Sequence, residues 1–423
     1  MIEIAPTRAA IRDDQLRKLR ALIAAIVPGN RFYTPRLTKA GITANLASLD
    51  EFSARMPFTT KQELAEDQIA HPPYGSVLTF PLEHYTRFAQ TSGTTRAPIR
   101  WLDTNESWAW MVGNWRRVFE AAGAGRGDRV LFAFSFGPFL GFWLAFECAA
   151  QLGCLCVPGG GLGSDARLRM LIDNDANVLC CTPTYAIRLA ESATEAGIDL
   201  SRARVKTIIV AGEPGGSIPA VRQRIEKLWS GAKVIDHHGM TEIGPVSYPS
   251  VTQQDTLCVI ESSYFAEVID PVTTLPAKDG QIGELVLTNL GRTGSPLLRY
   301  RTGDLVKPVW PERGDVTLAG GILGRSDDMV VVRSVNVFPS AVDQVMRSHA
   351  DVAEYRVEVF QERGMTELRV LVEPSASCAD GAALLRKLEH DLRGAIALRI
   401  PLSLAPAGSL PRFEMKAKRW VRT

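Results

Sequence analysis

The segment Gln90-Thr-Ser-Gly-Thr-Thr-Arg-Ala-Pro98 sets four hydroxyls around one glycine. Small residues let a backbone approach a polyphosphate, and hydroxyls with N–H groups are neutral donors to its oxygens. The G-x-x-x-x-G-K-[ST] phosphate loop occurs nowhere in the chain. Ala211-Gly-Glu-Pro-Gly-Gly216 and Asp236-His-His-Gly-Met-Thr-Glu-Ile-Gly-Pro245 are glycine-rich turns in which a flat ring could lie on backbone and a carboxylate could hold Mg²⁺. The adjacent His237 and His238 invite a metal reading, but neighbours along a strand point to opposite faces, so a shared ion is not expected. In Ser295-Pro-Leu-Leu-Arg-Tyr-Arg-Thr-Gly-Asp304 an acid follows a basic, aromatic stretch, and a fixed carboxylate can accept both hydroxyls of a ribose. Gly324-Arg-Ser-Asp-Asp328 and the basic tail Pro411-Arg-Phe-Glu-Met-Lys-Ala-Lys-Arg419 complete the set. Each segment alone also suits an ordinary turn or terminus; their order and spacing carry the discrimination.

These residues need a scaffold, and the pattern around them supplies one. Over about 86–240, apolar runs at 130–134, 155–157, 178–181 and 207–210 alternate with helical stretches, which predicts an α/β fold with a parallel sheet covered by helices. Residues 13–26 have helical spacing and open a helical lead-in. Alternating runs at 265–269 and 284–288 predict a small antiparallel sheet, and the last hundred residues read as a compact α+β domain. Trp108 and Trp115 stand at helical spacing and are expected in the core.

Composition narrows the function classes. With 48 Lys+Arg against 46 Asp+Glu the net charge is +2, so no global field would hold the chain on nucleic acid or an anionic membrane. Residues 130–146 carry no charge, but Gly137-Pro138 breaks the run, and strand, turn, helix is the expected parse rather than a membrane span. The N-terminus is charged and lacks the apolar core of a secretory signal. Seven cysteines without a C-x-x-C pair predict buried thiols in a reducing cytoplasm.

Taken together, the segments from about 85 to 423 resemble the core motifs of the acyl-adenylate-forming superfamily, most closely its phenylacetate–CoA ligase-like branch. The resemblance implies that Thr91, Ser92, Gly93, Thr94 and Thr95 bind the phosphates of ATP. It implies that Ala211, Gly212, Glu213 and Pro214, with Asp236 and His237, line the adenine and ribose site. Thr241 matches the threonine near the phosphates, and Glu242 the Mg²⁺-binding glutamate. Asp304 matches the ribose-binding aspartate, Arg325 the arginine near ribose and phosphate, and Lys416 the catalytic lysine, while Asp327 matches the hinge, which implies a large domain over 1–326 and a small, mobile domain over 327–423. The implied chemistry is activation of a carboxylate to an acyl-AMP with release of pyrophosphate, then transfer to a thiol, with coenzyme A expected. A homodimer is compatible with the family.

For the acid, Phe134-Ser-Phe-Gly-Pro-Phe139 aligns with the turn that floors the acid pocket in that branch. Phe136 and Phe139 would stack on a flat ring, with Gly137, Ala211, Gly239, Met240 and Pro245 leaving a slot, which favours a small aryl carboxylate. Core packing is the other reading of these phenylalanines. The sequence departs from the family pattern at Arg96 and Ala97 in the hydroxyl-rich loop, at Ser334 beside the thiol path and at Met415 before the lysine. Ser334 leaves open a carrier-protein arm or an amine as acceptor, and Arg96 a nucleotide-binding sensor without turnover. Where some relatives carry a zinc-binding cysteine pair, residues 307–314 have none, so no structural zinc is expected.

Overall fold

The computed structural model describes residues 5–423 apart from 92–97, 327, 334, 363–364, 397 and 414–416. By internal contacts the chain forms two compact units, each discontinuous in sequence: residues 1–161 with 237–321, and residues 162–236 with 322–423.

The first unit opens with helices Arg8–Ile26, Tyr33–Ala40, Leu49–Arg55 and Lys61–Ala70. Thr7, Ser48 and Thr60 cap three of them, and Thr60 with Glu63 forms a reciprocal capping box. Tyr85–Gln90 and Arg100–Thr104 pair as an antiparallel hairpin, Gln90 opposite Arg100, with the hydroxyl-rich segment between them in sequence. Helix Asn105–Ala122 buries Trp108 and Trp115 as the spacing predicts, and ends on Gly123 in the left-handed conformation at φ 66°. The uncharged run 130–146 resolves into strand Arg129–Phe132, a turn, and helix Leu140–Gln151, which leads to Leu155–Pro158, parallel to the first strand. Among the described residues no helix is long and apolar enough to cross a membrane. The strands Tyr264–Ile269, Gly283–Asn289 and Tyr300–Val306 form the expected antiparallel sheet, and a second one joins Ser247–Pro249, Thr256–Val259, Thr317–Ala319 and Pro308–Val309.

The second unit holds parallel strands Val178–Cys181, Thr207–Val210 and Lys233–Asp236, in register from Val178 beside Thr207 and Thr207 beside Lys233. The first two are buried at every residue, as strands covered on both faces must be. Residues 352–362 and 365–374 form a long hairpin flanked in parallel by Leu402–Leu404 and Trp420–Arg422, with helices Pro339–Ser348 and Gly381–Ile396 burying Val342, Met346, Leu388 and Leu392 in its core. This is the α+β grouping that the sequence predicts for the last hundred residues.

Two expectations need correction. His237 and His238 lie past the end of strand Lys233–Asp236, so strand alternation does not separate them; different partners do, as described below. The cysteines are free, but Cys154, Cys156 and Cys378 are half-buried rather than buried.

Candidate active site

The first unit gathers most of the predicted residues. Thr91 closes the base of the hydroxyl-rich loop: its N–H donates to the Ile99 carbonyl at 3.0 Å, and its hydroxyl accepts from the Ile99 N–H at 3.0 Å. Gln90 N–H donates to the Pro138 carbonyl at 2.8 Å, tying that base to the Gly137-Pro138 turn. Ser92, Gly93, Thr94 and Thr95, with Arg96 and Ala97, lie outside the described residues.

Thr241 and Glu242 occupy the turn of a minimal hairpin in which Gly239 pairs with Pro245 and Met240 with Gly244. Glycine is required at 239, because a Cβ there would stand 2.9 Å from the Gly244 carbonyl oxygen. The turn is held by Arg292, a residue with 0% exposure that the sequence reading passed over. Its guanidinium donates to the Thr241 carbonyl at 3.0 Å and the Glu242 carbonyl at 2.7 Å, and pairs with both oxygens of the buried Asp103 at 2.7 and 2.6 Å. Asp103 sits on strand Arg100–Thr104, so one buried ion pair links the hairpin carrying the hydroxyl-rich loop to the Thr241-Glu242 turn. A glycine-flanked arginine just before the Asp304 segment was the available signal. The Glu242 side chain is buried, and Lys61, at the start of its helix, approaches Oε1 to 3.2 Å.

Asp304 is 4% exposed and accepts from His238 Nε2 at 3.0 Å, while the His238 Nδ1 is buried with no hydrogen-bond partner among the described residues. His237 turns the other way: its Nδ1 donates to the Ser247 carbonyl at 2.7 Å and its ring lies 4.3 Å from Trp115. Burial depresses its pKa to about 4, so it is neutral at physiological pH.

The aromatic turn packs in the same unit. Phe136 adopts φ 49°, a region non-glycine residues seldom occupy, and is half-buried among Phe132, Phe134, Trp143 and Phe146 at 5.1–6.3 Å between ring centroids. A Cβ at Gly160 would meet its ring at 3.0 Å. Phe139 lies 6.0 Å from Phe142, and a Cβ at Gly137 would meet the Phe139 ring at 3.0 Å. The helix Leu140–Gln151 that follows packs on the hairpin containing Gly239, Met240 and Pro245.

The second unit places Ala211, Gly212, Glu213 and Pro214 in the turn after strand Thr207–Val210. Gly215 and Gly216 let that turn pack tightly, since Cβ atoms would stand 2.5 Å from Pro183 and 2.6 Å from Asp236. Glu213 accepts from the Thr184 N–H at 2.8 Å and the Ala417 N–H at 3.0 Å. Asp236 accepts from the Ser217 hydroxyl at 2.5 Å. Arg325 is half-buried, with Asp328 at 4.0 Å. Asp327, Ser334, Met415 and Lys416 lie outside the described residues.

Thr91 at the base of its hairpin, a carboxylate turn locked by a buried arginine and a buried aspartate beside an imidazole are the described parts of the first unit's candidate site. Residues 83–291 match the model of AMP-binding enzymes, and residues 334–422 that of the AMP-binding enzyme C-terminal domain. The chain is 30% identical to the phenylacetate-coenzyme A ligase of Pseudomonas putida over 96% of this chain and 93% of that one. This chain belongs to the AMP-binding enzymes, in the phenylacetate–CoA ligase-like branch. The phenylacetate-coenzyme A ligase of Thermus thermophilus is likewise 30% identical, over 96% of this chain and 94% of the relative. A 2-hydroxyisobutyryl-CoA ligase in its postadenylation state superimposes with a TM-score of 0.92 at 29% identity, covering 99% of this chain and 91% of the other. The protein is therefore an AMP-forming acid–CoA ligase that uses ATP, works through an acyl-adenylate and delivers the acyl group to coenzyme A.

Proposed function

We propose that the acid is a small aromatic carboxylate. The observation that carries this reading is the half-buried Phe136, held at a positive φ within a cluster of rings and followed by the helix that packs on the Gly239–Pro245 hairpin. A flat substrate ring gains both area burial and offset stacking in such surroundings, about 0.5–1.5 kcal/mol per aromatic pair beyond burial. A short branched acid is the second reading, supported by the likeness to the ligase bound to a 2-hydroxyisobutyryl-class adenylate.

In the first half-reaction a carboxylate oxygen attacks the α-phosphorus of ATP, the bond from that phosphorus to the bridging oxygen breaks, and pyrophosphate leaves. Two anions must meet, so the protein's task is alignment and placement of positive charge. Thr91 and the loop it closes would cradle the phosphates, with Thr241 near them. Asp304, fixed by His238, would accept the ribose hydroxyls, and the unpartnered His238 Nδ1 supplies a buried acceptor for a donor on the nucleoside. By the family resemblance Ala211, Gly212 and Pro214, with Asp236, His237 and Arg325, would serve the nucleoside. Mg²⁺ fits Glu242: this cation takes one or two carboxylates together with substrate phosphates, so a single buried carboxylate suffices, and bound there it would offset phosphate charge. Lys416 would supply the remaining cation. In the second half-reaction the sulfur of coenzyme A attacks the acyl carbonyl, AMP leaves, and the thiol proton passes to solvent, with residues 327–423 turning about Asp327 between the two steps.

The test is acid-dependent exchange of labelled pyrophosphate into ATP with benzoates, anthranilates, phenylacetates, 2-hydroxyisobutyrate and fatty acids. Exchange fastest with an aryl acid, and a KM for that acid raised about tenfold or more in Phe136→Ala at unchanged ATP KM, is the expected result. Preference for the branched acid, with Phe136→Ala silent, would replace the aromatic reading with the second one.

A further inference from the structure

The tail that carries Lys416 is anchored on both sides of residues 414–416. Before them, the buried Glu373 carboxylate accepts from the Gly408 N–H at 2.8 Å, the Leu410 N–H at 3.1 Å and the Arg412 guanidinium at 2.6 Å. After them, the buried Arg419 donates to Glu354 at 2.7 and 3.2 Å, and Trp420–Arg422 joins the sheet beside Val352–Glu362. Both anchors bind the tail to its own segment of the chain.

Glu213 does something different. It comes from the segment 162–236, and its two carboxylate oxygens divide their work: Oε1 accepts from Thr184, the second residue of helix Pro183–Glu195, and Oε2 accepts from the N–H of Ala417, the neighbour of Lys416. The carboxylate thus sits at the positive end of a capped helix and accepts the second hydrogen bond from the tail's backbone. The turn is built for this placement, since Gly215 lies so close to Pro183 that any Cβ would clash at 2.5 Å. We propose that Glu213 is a positioning residue for the adenylation step: it holds the tail at Ala417, and the first half-reaction depends on that hold. The inference rests on the reading of Lys416 as the adenylation lysine, and it reassigns Glu213 from lining the nucleoside to holding the tail, since both of its carboxylate oxygens are taken by N–H groups. Turning of residues 327–423 for thioester formation requires this hydrogen bond to open, so Glu213 acts on the first half-reaction and not on the second.

The experiment uses the full chain and the variants Glu213→Ala and Glu213→Gln, the latter keeping shape and one acceptor oxygen. Pyrophosphate exchange reads the first half-reaction; single-turnover thioester formation from supplied acyl-AMP and coenzyme A reads the second; amide hydrogen exchange of the peptide spanning Ala417 reads the contact itself. Glu213→Ala should lower the exchange kcat about 10- to 100-fold, leave the ATP and acid KM within about threefold, and leave acyl-AMP consumption near the wild-type rate. The Ala417 amide should exchange about tenfold faster or more. Glu213→Gln should fall between. Three results would overturn the proposal: a raised ATP KM at unchanged kcat, equal losses in both half-reactions for Glu213→Gln, or an Ala417 amide indifferent to the substitution. Failure of the underlying functional reading shows separately, as a wild-type protein without exchange for any acid, and the amide measurement still decides the contact.

Discussion

The buried Arg292–Asp103 pair gives the sharpest quantitative test of how the site is held. Arg292→Met removes the guanidinium from a position with 0% exposure and strands the Asp103 carboxylate, 1% exposed, together with the carbonyls of Thr241 and Glu242. Breaking one side of a buried pair costs about 3–5 kcal/mol, because the remaining charge is left without compensation. For a cooperative unit of this size that corresponds to a fall of about 6–20 °C in the thermal midpoint, at about 2–4 °C per kcal/mol. The double variant Asp103→Asn/Arg292→Met buries no net charge and should recover part of the loss, with a coupling of about 2–3 kcal/mol in the cycle. Pyrophosphate exchange should fall about tenfold or more in Arg292→Met even at temperatures where it is folded, since the turn bearing Glu242 has lost its tether. A midpoint within about 2 °C of wild type, or losses that add without coupling, would refute the assignment of this pair as the lock between the loop hairpin and the carboxylate turn.

His237 is held neutral by burial, with its pKa lowered to about 4 against an ordinary 6.5. The unfolded chain therefore binds more protons between those values, so this residue costs stability as pH falls through 6.5, up to about 3 kcal/mol near pH 4. The urea stability gap between wild type and His237→Gln should shrink by that amount over the window, and a constant gap would contradict it. Lys61→Met leaves the buried Glu242 carboxylate without its ammonium at 3.2 Å; given a half-exposed pair of about 1 kcal/mol, the Mg²⁺ concentration for half-maximal exchange should drop about fivefold, and a rise would count against Glu242 as the metal carboxylate. Burial pushes the thiols of Cys148 to about 12 and of Cys156 and Cys258 to about 11. Mass spectrometry after brief alkylation at pH 8 should find Cys378 labelled before Cys156, and Cys148 and Cys258 only after unfolding.

Much of the candidate site could be proposed from sequence because its residue types sit in short, ordered segments: a run of hydroxyls, a strand end followed by glycines, an acid after Arg-Tyr-Arg-Thr-Gly. The periodic pattern also placed strands 178–181 and 207–210 to the residue, since fully apolar runs between turn signals leave little freedom. What local pattern could not reveal was pairing across long separations. Arg292 meets Asp103 across 189 residues and Glu213 meets Ala417 across 204, and neither partner predicts the other by spacing. The strand expected to alternate His237 and His238 ends at Asp236, and the different partners of the two rings could not be read from local pattern. The aromatic turn at Phe136 was read as pocket or core, and its half-buried ring among other rings joins both descriptions.

The interleaving of the two units has a consequence for synthesis. Residues 162–236 leave the ribosome long before 322–423, the segment with which they form one unit. Helix Pro219–Leu228, whose Val221 and Ile225 end up buried, packs on helix Pro339–Ser348, which is made more than a hundred residues later. At ~5–20 residues per second, the stretch from Asp236 to the C-terminus takes ~10–40 s. Through that interval helix Pro183–Glu195 and strand Lys233–Asp236 can already pack on the earlier helix, while the side that meets helix Pro339–Ser348 waits for its partner, and a product truncated before residue 339 lacks that contact altogether.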